Sequence, residues 1–158
     1  VEVTVRRVLC TAVLAVTTGW AAAIGAAATS PARTTQKTTN DGVYSAAQAD
    51  KAKADFDRLC ASCHAFAIAD RKSPNDAVLG GDAFIAKWTG RPVADLVSVI
   101  TMTMPNDGSA VVEEPQAIDI TAYILQRNGY PAGAAPLTQD TAAATFAPKK
   151  LPAATSWR

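Results

Sequence analysis

The chain has 158 residues, 49% of them apolar and 18% charged, which suits one ordinary domain and is short for two. Lys and Arg number 15 against 14 Asp and Glu, so no basic stripe exists for displacing counterions from a nucleic acid, and DNA and RNA are excluded as partners. Cysteine, methionine and histidine number 3, 2 and 1, so any metal site must be built from very few ligands.

Arg6-Arg7 precede an apolar run over 8–16 and a Gly/Ala stretch that closes on Ala26-Ala27-Ala28, the layout of a secretory signal peptide over 1–28. Residues 8–28 are also long enough to span a bilayer, so an uncleaved membrane anchor is the competing reading, although Thr17, Thr18 and Gly19 interrupt the run. A lipoprotein signal would want a small residue just before Cys10, where the chain has Arg7-Val8-Leu9. Cleavage near Ala28 implies a periplasmic protein and removes Arg6, Arg7, Glu2 and Cys10. It leaves balanced charge and two cysteines, Cys60 and Cys63, too close together for an ordinary structural disulfide. Residues 29–43 are Thr-rich and without periodicity, and read as a disordered lead-in.

Four helices and no strands follow. Ser45 with Gln48 three residues on is a capping-box signature, and Ala49, Ala52, Phe56 and Leu59 then recur at helical spacing up to Cys60. A short helix over 82–89 buries Phe84, Ile85 and Trp88 and closes at Gly90. Pro92 suits the first turn of a third helix, in which Val93, Leu96, Val97 and Ile100 share a face, and Pro105 ends it. Glu113, Glu114 and Pro115 open the fourth, and Asn128-Gly129 with Pro131 stop it. Its residues are apolar most of the way round, which predicts a central position. The patternless loop over 65–81 is long for a compact domain and predicts a segment wrapped around something. Residues 134–158 read as an extended tail, tacked down by Leu137, Phe146 and Leu151.

The chemistry sits in Cys60-Ala61-Ser62-Cys63-His64, a C-x-x-C-H motif. Two thiols at this spacing can reach the two vinyl groups of one haem while the adjacent imidazole meets the iron, giving a single covalently attached haem c. A structural zinc site would need about four protein ligands and no second cluster is in sight. A thioredoxin-like pair would want a βαβ context and would have no use for the histidine.

His64 is the only histidine, so the second axial ligand is another residue type. Met102 and Met104 are the two methionines, about forty residues past the motif. Met104 precedes Pro105, which biases its backbone to an extended loop from which a thioether can face the iron, while Met102 fits the end of the third helix. Met104 is the favoured ligand and Met102 the alternative. A lysine or an open position are the further choices.

From Tyr44 to about Gly133 the sequence resembles class I c-type cytochromes. The resemblance rests on the haem motif and on Ala52-x-x-x-Phe56-x-x-x-Cys60. It implies an all-α fold of about four helices wrapped around one haem, with the first helix crossing the last so that Ala52 and Phe56 meet Ile120 and Tyr123. Trp88 is similar to the family's aromatic near a haem propionate, with Arg91 as a second contact. The stretch Met104-Pro105, Asp119 to Leu125, Asn128-Gly129 and Pro131 to Gly133 resembles the monohaem periplasmic cytochromes associated with PQQ-dependent alcohol dehydrogenases. Ala65 stands where the family often has Gly, and Ala77-Val78 occupy its proline-rich turn, which leaves Pro74 as the candidate for orienting His64.

The resemblance implies a one-electron carrier rather than an enzyme, without a small-molecule substrate. It would accept electrons from a PQQ-dependent dehydrogenase and pass them to a terminal oxidase or another cytochrome. Two other readings are a haem enzyme or gas/peroxide sensor with an open distal site, and a membrane-anchored haem subunit of a dehydrogenase complex.

Overall fold

A computed structural model describes residues 36–149 of the chain. The expected signal peptide or anchor, the start of the lead-in, and Leu151 lie outside these residues. Among the described residues no helix is long and apolar enough to cross a membrane.

The fold is mostly helical. Among the described residues four α-helices run in order: α1 (Ala46–Leu59), α2 (Gly81–Trp88), α3 (Val93–Thr103) and α4 (Glu114–Arg127). Three single-turn 3-10 helices occupy Thr39–Asp41, Ile68–Asp70 and Thr141–Ala143. The expectation of no strands is corrected by a small one: β1 (His64–Ala65) pairs in parallel with β2 (Ala77–Val78). Two residues a side are too few to leave an alternating pattern in a sequence.

The helix boundaries follow from local chemistry. Ser45 accepts a hydrogen bond from the Gln48 backbone N–H at 3.3 Å and so caps α1. The reciprocal half of the expected capping box does not form. The Gln48 amide instead donates to Asp119 Oδ1 at 2.8 Å and to the Leu137 carbonyl at 2.9 Å, and its Oε1 accepts from the Leu137 N–H at 2.7 Å. A residue read as a local cap is thus a long-range clamp on the tail. At the far end of α4, Asn128 takes the C-cap position and Gly129, at φ +77°, supplies the left-handed residue that ends the helix.

α4 is central, as its apolar circumference predicts, with eight buried residues from Ala117 to Leu125. Its main neighbours are α1 and then α3. Phe56 of α1 meets Tyr123 of α4 with ring centroids 5.1 Å apart, and Ala52 and Ile120 are buried in the same core. Ile120, Ile124 and Leu125 are almost fully enclosed, each stabilising the fold by about 1.5–3 kcal/mol relative to exposure.

The stretches on either side of 44–133 belong to this same core. From Gln36 onward the expected disordered lead-in is packed. Thr39 is completely buried, its hydroxyl accepts from the Ala147 N–H at 3.0 Å, and Thr38 pairs with Thr145. Polar composition concealed this because the burial is satisfied by hydrogen bonds rather than by apolar side chains. Leu137 and Phe146, the expected tacks of the tail, are 2% and 1% exposed. Gly42 and Gly133 let the two outer segments cross. A Cβ at Gly133 would collide with the Gly42 carbonyl, and the Gly133 N–H donates to the Tyr44 carbonyl at 2.6 Å.

Candidate functional site

The end of α1 builds one side of the site. α1 finishes at Leu59, and Cys60 closes it with a hydrogen bond from its N–H to the Phe56 carbonyl at 2.9 Å. A tight turn follows, in which the N–H groups of Cys63 and His64 both donate to the Cys60 carbonyl, at 3.1 and 3.0 Å. The short β ladder then pins the chain on either side of His64. Ala77 N–H donates to the Cys63 carbonyl at 3.0 Å and Leu79 N–H to the Ala65 carbonyl at 2.7 Å. The 65–81 loop therefore returns beside the motif, and its later residues Ala77, Val78 and Leu79 join the wall of the cavity described next. Gly80 is required there, since a Cβ would run into the Phe66 carbonyl.

The other side comes from α3. Met104 is its C-cap, with extended backbone angles of φ −121° and ψ 144°, as the residue before a proline should have. Cys60, Cys63, His64 and Met104 all line one cavity of about 920 Å³. That volume lies near the upper end of the ~300–1,000 Å³ range typical of ligand and cofactor sites. The rest of the wall is mainly apolar, with Phe84, Leu96, Ile100, Val112, Ile120 and Ile124 contributed by α2, α3, α4 and the segment before α4.

Met102 lies elsewhere. It is 82% exposed on the last turn of α3 and is not part of the cavity wall. Trp88 is buried and on the wall, whereas Arg91, expected beside it at the cofactor's edge, is not. The Arg91 guanidinium stacks over the Trp88 ring at 4.5 Å from its centroid and pairs with Asp95 at 2.9 Å. The cation that both lines the cavity and approaches Trp88 is Lys87, 5.7 Å from the ring centroid. Pro74, the sequence candidate for orienting His64, has its carbonyl occupied by Arg71 Nη1 at 3.0 Å. The backbone that acts on the imidazole is that of Ala77, its strand partner.

Burial decides the protonation of Cys60 and His64. It pushes the Cys60 thiol up to about 11, with Asp55 adding to the effect and Arg58 opposing it, so the thiol is neutral at pH 7. Burial also holds the His64 imidazole below its ordinary range, against the Ala77 backbone and the Asp76 carboxylate. Its Nδ1 is buried and has no hydrogen-bond partner among the described residues. A neutral imidazole and a thioether on one apolar wall are competent donors to a transition metal.

Two contributors to the site left little trace in the sequence. The segment after Met104 forms part of the wall through Pro105, Asn106, Asp107 and Ser109. Asn128, read only as a helix stop, is 5% exposed and donates from Nδ2 to the Leu79 carbonyl at 2.8 Å and to the Ile124 carbonyl at 2.9 Å. It ties α4 to the loop that closes the cavity. Asn is common after helices for its backbone preferences alone, so only its partners reveal the second role. Comparison of the chain with models of known families, with curated proteins and with solved structures finds no match, so the function rests on the geometry of this cavity.

Proposed function

We propose that the chain is a monohaem c-type cytochrome of class I, a periplasmic one-electron carrier. The observation that carries this reading is that Cys60, Cys63, His64 and Met104, drawn from the ends of two different helices, line a single apolar cavity of about 920 Å³. Those residue types fit a covalently held haem. The two thiols of the C-x-x-C-H motif would carry the macrocycle by thioether bonds, and the His64 imidazole and Met104 Sδ would complete the iron's coordination. His64 Nδ1 is buried with no hydrogen-bond partner among the described residues, the kind of unsatisfied polar atom that a bound group at this cavity would account for.

When bound, the haem would supply a reversible one-electron couple at iron. The chain's own residues define its environment. Phe84, Leu96, Ile100, Val112, Ile120 and Ile124 exclude water and lower the local dielectric, and a His/Met donor pair favours a higher potential than two histidines. An electron carrier of this kind uses small, transient interfaces. The donor we propose is a PQQ-dependent dehydrogenase and the acceptor a terminal oxidase or another cytochrome, on the resemblance of the stretch from Met104 to Gly133 to the cytochromes that serve such enzymes.

The test is the mass and the visible spectrum of the matured protein, oxidised and reduced, with and without carbon monoxide. A mass raised by one haem and a low-spin spectrum indifferent to the gas are the expected results. A chain without covalent haem would overturn the assignment, and ready gas binding would transfer it to a haem enzyme or sensor with an open distal site. The mature N-terminus and cell fractionation separate the exported carrier from the membrane-anchored subunit.

A further inference from the structure

The tail after α4 does more than cover the surface. Residues 144–146 run as an extended strip along the turn between α2 and α3, the turn that directly follows Trp88. Gly90 N–H donates to the Phe146 carbonyl at 2.9 Å, Phe146 N–H to the Arg91 carbonyl at 2.8 Å, and Val93 N–H to the Ala144 carbonyl at 2.8 Å. The last bond matters most for α3. Its N-cap is Pro92, which has no side-chain acceptor to offer, so the tail's Ala144 carbonyl satisfies the first N–H of the helix that carries Met104 at its other end.

The side chains continue the same connection inward. Phe146, 1% exposed, lies against Trp88 with centroids 5.7 Å apart and rings inclined at 35°, and Trp88 is itself part of the cavity wall. Phe146 is held from another direction by Tyr130, at 6.2 Å and 71°, whose hydroxyl donates to the Ala147 carbonyl at 2.7 Å. Thr145 meanwhile pairs with both Thr38 and Pro92, so the strip is fixed on two edges. None of these contacts involves a cavity-lining atom of the tail, because no described tail residue lines the cavity.

We propose that residues 144–147 form a strap that sets the Trp88 wall of the cavity and the start of α3, with Phe146 as the positioning residue acting through Trp88. The link from the strap to the haem environment rests on the cytochrome reading; the link from the strap to Trp88 and α3 does not. Amide hydrogen exchange of the full chain as purified, resolved by peptide mass spectrometry, tests the second link in Phe146→Ala and in the milder Phe146→Leu. The expected result is faster exchange over 82–96, by about tenfold or more in Phe146→Ala, with α1 and α4 within about twofold of the parent. Phe146→Leu keeps apolar bulk, so it carries the test even if Phe146→Ala fails to fold, and it should show the same pattern at smaller amplitude. Acceleration spread evenly over α1 and α4, or confined to 134–149, would overturn the proposal.

The first link is read in the midpoint potential. Phe146→Leu and Trp88→Phe should each shift it, and the double variant should shift it by less than the sum, because one residue acts through the other. Additive shifts, or a Phe146→Leu potential equal to that of the parent, would reduce the strap to a purely structural element. A parent chain found without covalent haem would defeat the cytochrome reading alone, with the exchange pattern still deciding the strap.

Discussion

Met102→Ala and Met104→Ala remove the same atoms two residues apart and should have opposite consequences. Met102 is 82% exposed on a helix, where alanine is at least as good a helix former, so its replacement should change stability by no more than about 0.5 kcal/mol. Met104 is half-buried on the cavity wall, and its backbone N–H donates to the Ile100 carbonyl at 3.1 Å, a bond that alanine keeps. Met104→Ala should therefore preserve the helix end while deleting the thioether. Lost burial accounts for about 1–2 kcal/mol of stability, well within what a domain tolerates. The assay is the visible spectrum of each purified variant with and without carbon monoxide, beside urea unfolding. Met104→Ala should become high-spin and bind the gas, and Met102→Ala should match the parent. A gas-insensitive low-spin spectrum in Met104→Ala, or its loss in Met102→Ala, would refute the reasoning from exposure to ligation.

Three further outcomes follow from packing. Gly133→Ala should be among the most damaging single-methyl additions in the chain, at roughly 2–4 kcal/mol, because the new Cβ meets the Gly42 backbone and neither segment can yield without breaking the Gly133 to Tyr44 hydrogen bond; a loss under 1 kcal/mol (roughly) in urea unfolding would show that the crossing is soft. Asn128→Ala strips the Leu79 and Ile124 carbonyls of a buried donor and should cost about 1–3 kcal/mol, with hydrogen exchange rising around Leu79 as well as at the end of α4. Burial raises the hydroxyl of Tyr44, assisted by Asp50, and burial likewise raises that of Tyr130 against Thr39, so the folded state holds these protons more tightly than the unfolded chain. Their contribution is then complete below about pH 10 and is lost as pH rises through the folded values; Tyr44→Phe should lower stability at pH 7 by about 1 kcal/mol through its 2.6 Å bond to the Tyr130 carbonyl, and should flatten the alkaline decline measured by urea unfolding.

The parts of this molecule that could be read in advance are those whose causes are local. Ser45, Pro92, Glu113 and Asn128-Gly129 act within one turn of themselves, and the helix ends they predict fall within a residue or two of those observed. The candidate ligands were legible for a different reason, scarcity, since with one histidine and two methionines there were few places to look. What escaped was everything made by backbone groups at long range. Phe146 reads as a tack of the tail, but nothing in Ala144-Thr145-Phe146 tells where the segment docks, because its bonds to Gly90, Arg91 and Val93 use carbonyl and amide groups that every residue carries. Gln48 shows the converse error, in which a side chain that fits a local motif is drawn away by a better offer from Asp119 and Leu137.

The same distinction explains why Arg91 was expected at the cavity and Lys87 was not. On a helix that ends at Trp88, Lys87 and Arg91 lie on either side of the indole in sequence, and spacing alone does not choose between them. Asp95 makes the choice. It sits four residues after Arg91, within the first turn of α3, and draws the guanidinium into an exposed ion pair. Such a pair stabilises by only a few tenths of a kcal/mol, roughly, yet with the stack on Trp88 it suffices to orient the Arg91 side chain. A residue's role at a site is thus decided by the strongest competitor for its charge, and that competitor is visible in a sequence only when it lies one helical turn away.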